Sequence, residues 1–464
     1  MKTYDSLTEL LSSMECCLDL KKGACTLTDK NTFTDTIVDR LAYTMAVSND
    51  QDVRSSIAYI MWESAQQLGI HPSSIHEFYE SRGRGAYSGL TVPAINIRGL
   101  TYMVARTIIK TAIANETGPF IFEIAKSEIG YTAQRPVEYA TLCIAAAIRE
   151  GFSGPIFIQG DHFQAKASNY FKEPEKEIDG LKALIKEAIE AGFYNIDIDS
   201  STLVDLSKQE ILEQQRNNFE VAAALTKYIR GLEPDGVTVS VGGEIGEVGK
   251  KNSTPEELRA FMQGYNDTLK RLDGGMAGIS KISVQTGTSH GGVVLPDGSI
   301  AKVNLDFDTL ATLSKLAREE FGMSGAVQHG ASTLPNEAFH RFPETETAEV
   351  HLATGFQNII YDHPALPASL RDTIYGWMKS ELAKEWKEGW TEDQFIYKTR
   401  KKGFGPFKRE LLDLPEKNLG PIREKLEQTF DFLFHKLNVT KTRELVAQHM
   451  TIHKVGKPRP ACLK

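Results

Sequence analysis

Hydrophobic and polar positions recur with two different periods along this chain, and the switches between them divide it in three. Up to about residue 88 the period is helical: Val53, Ile57, Ile60, Met61 and Leu68 mark one face of a helix over Asp52–Leu68, which Gly69 ends. His71-Pro72 is expected to break the chain, Ser74–Tyr79 starts another helix, and Arg82-Gly-Arg-Gly85 reads as a loop and boundary. From Leu90 short apolar runs alternate with helical ones. Strands are predicted over Val92–Ile97, Pro119–Ile124, Ile156–Ile158, Tyr194–Ile198, Val237–Val241, Ile279–Val284, Gly325–Gln328 and Thr347–His351. Helices are predicted over Leu100–Ala114, Pro136–Glu150, Glu175–Ala191, Ser207–Tyr228, Thr254–Leu272 and Leu310–Glu320. Gly192 sits at the C′ position of one, and Thr254-Pro-Glu-Glu257 opens another as a capping box with proline at its first position. From Ala365 the pattern is helical again, over Leu370–Lys387, Glu392–Thr399 and Ile422–Leu437, with an interruption at Gly403-Phe-Gly-Pro406 and a loose tail around Lys457–Pro460. Eight strands separated by helices are the rhythm of an α/β protein, a (β/α)8 TIM barrel with N- and C-terminal helical extensions. The expected segments are 1–88, 89–365 and 366–464, with no catalytic constellation evident in the last.

At 464 residues, 41% hydrophobic and 25% charged, the chain has the balance of a soluble globular protein with a large core. A formal charge of −8 leaves no electrostatic footprint for nucleic acid. The most apolar helical run, Thr141–Ile148, is too short to span a bilayer, so no membrane partner is expected. Five cysteines without paired spacing argue against a disulfide framework and a structural zinc site. With Asp5, Glu9 and Glu15 in its first turns the N-terminus has no signal-peptide core. The expectation is a cytoplasmic protein with reduced thiols, its extensions suggesting a homo-oligomer.

The residues just after the strands change this picture. The stretch Pro155–His162 is a buried strand followed by Gly160 and then Asp161-His162, where the strand is expected to run out. The fourth strand delivers Asp199, the fifth Glu244 and Glu247, the sixth His290, the seventh His329 and the eighth His351. Taken singly each is an ordinary cap or turn residue, but so many on one rim of a barrel are hard to ascribe to caps. Converging imidazoles and carboxylates suit a divalent transition metal, zinc above all, with a position left open for substrate. Glycines at Gly291-Gly292, Gly330-Ala-Ser332 and Ala353-Thr-Gly355 expose backbone amides after the last strands, where barrels commonly hold phosphate.

Seven stretches in this order resemble the class II, zinc-dependent ketose-bisphosphate aldolases of the fructose- and tagatose-bisphosphate types: Val92-Pro-Ala-Ile-Asn96, Gly160-Asp-His162, Ile198-Asp-Ser-Ser201, Gly243-Glu-Ile-Gly246, Gly287-Thr-Ser-His-Gly291, Leu305-Asp-Phe-Asp308 and His329-Gly-Ala-Ser332. The resemblance runs from about Tyr87 to His363 and leaves the flanks outside the usual family core. It implies Zn2+ on His162, His290 and His329, and Glu244 is taken as a further candidate metal residue. It implies Asp161 as the acid–base group at the substrate's C4 hydroxyl, and Gly291, Gly330, Ser332 and Thr354 as a phosphate site, with Asp199 and His351 also on the substrate side. The substrate implied is a phosphorylated sugar, cleaved reversibly to dihydroxyacetone phosphate and an aldehyde.

That chemistry needs an electrophile at the C2 carbonyl and a base for the C4 hydroxyl, which a metal and Asp161 would supply. Two departures stand out. The family's Asn-x-Ala-Thr on the last strand is His351-Leu-Ala-Thr354 here, which bears on substrate choice; the imidazole is expected to be neutral and bonded to a substrate hydroxyl. The acidic pair that many members carry after Glu-x-Gly is replaced by Gly249-Lys-Lys-Asn-Ser253, which leaves Glu247 as the candidate for C–H proton exchange. The rival readings are a metal-dependent ketose epimerase working by retro-aldol chemistry and a non-catalytic aldolase-like subunit.

Overall fold

The computed structural model describes residues 2–20, 24–246, 251–287, 294–296, 301 and 305–464. Eight parallel strands form its centre: β1 Val92–Asn96, β2 Ile121–Ala125, β3 Gly154–Gln164, β4 Asn195–Asp199, β5 Ser240–Glu244, β6 Lys281–Val284, β7 Ala326–Gln328 and β8 Glu349–Leu352. Each pairs with the next, and β8 returns to β1 with Glu349 opposite Val92, so the sheet closes into a (β/α)8 barrel. Helices over Thr101–Ala114, Pro136–Arg149, Pro174–Ala191, Ile211–Arg230, Pro255–Leu272, Phe307–Phe321 and Thr354–Asp362 follow strands around the ring. Local chemistry sets their ends. The Thr254 hydroxyl accepts from Glu257 N at 3.2 Å while the Glu257 carboxylate accepts from Thr254 N at 2.8 Å, the reciprocal capping the sequence predicts. Gly192, at φ +106°, closes Pro174–Ala191 in the left-handed conformation that glycine adopts without cost.

The third strand does not stop at Gly160 as expected. It continues to Gln164, and its register against β4 jumps from Gly160↔Ile196 to Phe163↔Ile198. Three steps along β3 meet two along β4, so Asp161-His162 lies in a β-bulge, with His162 at φ +41°. A bulge re-aims side chains without ending the pairing. Both residues therefore stay locked in the sheet.

The N-terminal extension is not purely helical, and His71-Pro72 does not break the chain. Ile70–Ser73 forms a short parallel strand on the lower half of β3, from Ile70↔Gly154 to Ser73↔Phe157. Above it β4 takes over at Gln159, and Asn195 bridges the change: its amide donates to the Ser73 and Ile158 carbonyls and accepts from Ile75 N at 2.9 Å. The following helix runs over His76–Gly83, past the expected loop start at Arg82. In the C-terminal extension the long helix begins at Glu416 instead of Ile422, runs through Pro421, and buries Ile422, Leu426, Phe430, Leu433 and Phe434 toward the barrel. The tail is packed, not loose. Trp62 Nε1 donates to the Val455 carbonyl at 2.6 Å, Arg459 to the Leu20 carbonyl at 2.8 Å, and Leu463 is buried. One continuous apolar core includes residues of both extensions and the barrel, from Tyr4 to Leu463.

Gly83 shows how closely the extension approaches the barrel. A Cβ there would lie 1.9 Å from the Gly322 carbonyl oxygen, a backbone atom with no freedom to move aside. Gly83→Ala is expected to cost about 1–3 kcal/mol of stability, the usual scale of overpacking, read from denaturant unfolding. An unchanged midpoint would mean that the extension docks less tightly than this.

Candidate active site

The bulge turns Asp161 inward, where its Oδ1 faces His351 Nδ1 at 3.3 Å, His329 Nε2 at 3.8 Å and His162 Nε2 at 3.9 Å. The His329 ring lies between the other two, 4.2 Å from each centroid to centroid. His162 lies in β3, His329 follows β7 and His351 lies in β8, and barrel closure through the β8–β1 pairing brings the first to the other two at the C-terminal rim. On its other side His162 Nδ1 meets Asp199 Oδ2 at 3.1 Å and Glu244 Oε2 at 3.2 Å. Asp199 is itself held, accepting from the Ser201 hydroxyl at 2.7 Å and from Gln164 Nε2 at 2.5 Å. With Nδ1 occupied by carboxylates, the His162 ring presents Nε2 to Asp161 and His329, the orientation a metal-binding imidazole takes from its outer partners.

Burial and charge set the protonation of this cluster. Burial works against the charged Asp161, but His162 and His351 hold its carboxyl well below the usual carboxylate range. Burial also disfavours a charged His162, and Asp161 and Glu244 overcome it and raise the imidazole well above its usual value. Glu244, desolvated and close to the Asp199 carboxylate, is pushed up to about 7.

His351, expected to be neutral beside a metal, has carboxylates at both edges of its ring. Its Nε2 lies 2.6 Å from Glu349 Oε1 and its Nδ1 2.9 Å from Glu123 Oε2. Burial is outweighed by Glu123 and Asp161, so among the protein groups its imidazole is held well above its usual range. Glu123 in turn is pushed up to about 7, chiefly by burial, and Asp197 to about 6 for the same reason. Beneath them Lys281 Nζ contacts Glu349 at 2.5 Å, Gln159 at 2.7 Å and Asp197 at 3.0 Å. Reading strand ends misses this layer, because Glu123 and Asp197 stand inside strands and Lys281 and Glu349 begin them. The available signal was charge at positions where barrel interiors take Val, Ile and Leu.

A cavity of about 560 Å3 opens above the imidazoles. Of the expected site residues, Asp161, His162, His329, Gly330, Ser332, His351 and Thr354 line it, while Asp199 and Glu244 stand behind His162. Glu247, His290 and Gly291 lie outside the described residues. The remaining wall is unexpected. Tyr397, Lys398 and Lys401 reach it from the C-terminal extension, whose sequence had shown no catalytic features, and Arg98 reaches it from the loop after β1. Arg98 pairs with Glu128 at 2.7 Å and donates to Gln357 at 2.7 Å and Thr354 Oγ1 at 3.4 Å. The ammonium of Lys401 lies 5.7 Å from the Tyr131 ring centroid; burial and the charge of Arg98 lower its pKa.

Residues 84–401, more than half of the sequence, match the family model described as fructose-bisphosphate aldolase class-II. The chain belongs to this family. A search of curated proteins finds no match. Among solved structures, the fructuronate-tagaturonate epimerase UxaE of Cohnella laeviribosi superposes with a TM-score of 0.58 at 12% identity, covering 84% of this chain and 86% of its own. A probable tagatose 6 phosphate kinase from Sinorhizobium meliloti gives 0.51 at 16% identity, with 80% and 96% covered. The fructose-bisphosphate aldolase of Campylobacter jejuni gives 0.48 at 16% identity, also with 80% and 96% covered. Identities this low speak to the fold alone.

The donor set fits a divalent metal. Asp161, His162 and His329 offer ligand atoms within 4.8 Å of one another, as do His162, Asp199 and Glu244. Binding requires neutral imidazole, so His162 must lose a proton as metal enters, and the added positive charge favours the ionised form of the Glu244 carboxylate behind it. Affinity for Co2+, used as a spectroscopic probe, is therefore expected to rise with pH through about 7, where Glu244 titrates, with protons released on binding. An affinity that is flat across this range would remove both groups from the metal's surroundings.

Proposed function

We propose that this family member is a zinc-dependent lyase that cleaves a ketose between C3 and C4 by retro-aldol chemistry, and that its substrate ends in an anionic group. The observation that carries this reading is the placement of Asp161 Oδ1 within 3.3–3.9 Å of three imidazoles at the barrel rim. His162 and His329, joined by His290, would hold the zinc, which when bound supplies a Lewis acid for the C2 carbonyl. Asp161, charged and buried beside the cavity, accepts the C4 hydroxyl proton. As that proton leaves, the C4 oxygen forms the aldehyde carbonyl and the C3–C4 electron pair passes to the enediolate of the three-carbon fragment. A proton returned to C3 completes the cleavage; Glu247 is the group expected to supply it. Asp199 keeps the His162 ring turned toward the reacting side.

The anionic end of the substrate is assigned to the wall of Gly330, Ser332 and Thr354, with Gly291 expected to join it. Arg98 donates to Thr354 Oγ1 at 3.4 Å, and Lys398 and Lys401 line the same cavity. An anion there meets preorganised donors in a partly desolvated site, where charge-assisted bonds are strongest. A second reading, epimerisation at C4, is favoured by one observation: His351 stands 3.3 Å from Asp161 where the family carries an amide. An imidazole beside the base offers a second proton carrier for reclosing the bond on the other face of the aldehyde.

Asp161→Asn is expected to fold and hold zinc yet lose about 10²–10⁴-fold in turnover, the range of a single acid–base group. The check is a coupled cleavage assay with parallel NMR detection of C4 epimers, over ketoses ending in phosphate, carboxylate or a neutral hydroxymethyl. Near-normal turnover would reduce Asp161 to an orienting role. Lys401→Met is expected to raise KM severalfold for the anionic ketoses and to leave the neutral ones unchanged, measured by initial rates. Equal effects on both would take the anion away from this wall.

A further inference from the structure

The charged layer under the rim is built as a chain of contacts that ends on His351. Glu349 receives four groups: Lys281 Nζ at 2.5 Å, Gln159 Nε2 at 2.8 Å, the Tyr79 hydroxyl and His351 Nε2 at 2.6 Å. Lys281 is anchored in turn by Asp197 and Gln159. All of these side chains are buried, with Glu349 fully enclosed. Tyr79 comes from the N-terminal extension, whose helix over His76–Gly83 brings its hydroxyl into the barrel. Burying charge in a barrel interior is costly, and replacing such groups by well-packed apolar ones is often neutral or stabilising. The layer therefore calls for a role beyond holding the fold.

We infer that Glu349, fixed by Lys281, Gln159 and Tyr79, is a positioning residue: it takes the Nε2 proton of His351 in a hydrogen bond and so aims Nδ1 at Asp161. The ring has two nitrogens at different edges. Once Nε2 is committed downward to Glu349, Nδ1 is the edge that meets Asp161 at 3.3 Å, with Glu123 Oε2 beside it at 2.9 Å. The arrangement explains why the N-terminal extension reaches so far inward, since it supplies one of the donors that hold the Glu349 carboxylate still. An unfixed carboxylate would let the imidazole rotate away from Asp161.

The test uses zinc-loaded full-length protein with 15N-labelled histidine, the His351 ring signals being assigned by their loss in His351→Asn. In the unaltered protein Nε2 is expected to be protonated, with a downfield proton. In Glu349→Gln that proton should move upfield or disappear, and kcat should fall about 10–100-fold with KM within about twofold, as for other outer partners of active-site imidazoles. Tyr79→Phe, which removes one donor and no charge, should move both readouts in the same direction by less, and it decides the matter if Glu349→Gln fails to fold. A merely structural role would lower the unfolding midpoint and leave the Nε2 resonance in place; an unmoved resonance in both variants overturns the inference. The kinetic arm rests on the aldolase-type reading and the spectroscopic arm does not. A protein that turns over no ketose but shows the expected ring signals would sink that reading and leave the positioning role standing.

Discussion

One residue too many in the third strand is the constraint on which the rest of the site depends. The barrel closes only if β3 pairs along its length with β2 on one side and with β4 on the other, and β4 offers one position fewer across the rim. The surplus is taken up at Asp161-His162, at the cost of a positive φ for a residue that is not glycine. In return a carboxylate and an imidazole that are neighbours in sequence point to different partners, Asp161 to His329 and His351, His162 to Asp199 and Glu244. An unbulged strand would send them to opposite faces of the sheet. The strain is borne because pairing continues on both sides of it.

The electrostatics follow from that placement. Asp161, Glu123, Asp197, Glu244 and Glu349 crowd a region that holds Lys281 as its one buried lysine among the described residues. Carboxylates this close cannot all ionise in a desolvated interior, so some are pushed toward neutrality, Glu123 and Glu244 to about 7 and Asp197 to about 6. Others are held charged by cations, as Asp161 is by its imidazoles. A divalent cation would relieve the same imbalance, which ties the buried acidic layer to the metal expected above it.

The extensions serve the barrel from both ends. The N-terminal one adds a strand to the lower half of β3 and sends Tyr79 inward; the C-terminal one packs a long helix against Thr101–Ala114 and lays Tyr397, Lys398 and Lys401 along the cavity wall. Phe404 lies so close to Gly99 that a Cβ there would come within 2.1 Å of its ring. That contact seats the C-terminal segment directly beside Arg98. The cationic wall is therefore shared between the first βα loop and a segment some 300 residues later.

Sequence by itself determined the barrel and the rim. Strand and helix periods are local, and the eight strands overlap the predicted apolar runs, the fifth shifted to Ser240–Glu244 from the expected Val237–Val241, because burial on both faces of a parallel strand leaves a continuous signature. Asp161, His162, His329 and His351 were legible for the same reason, each following or ending such a run. For Glu123 and Asp197 the one local signal is a charge where barrel interiors take apolar residues; which partners such a charge meets is set only by the closed barrel. The bulge was invisible because one extra residue is defined only against the partner strand. Lys398 and Lys401 belong to a stretch whose helical period gives no hint of the cavity they face. These features depend on which distant segments meet. Local propensity carries no information about that, and only the closed barrel, with both flanks docked, decides it.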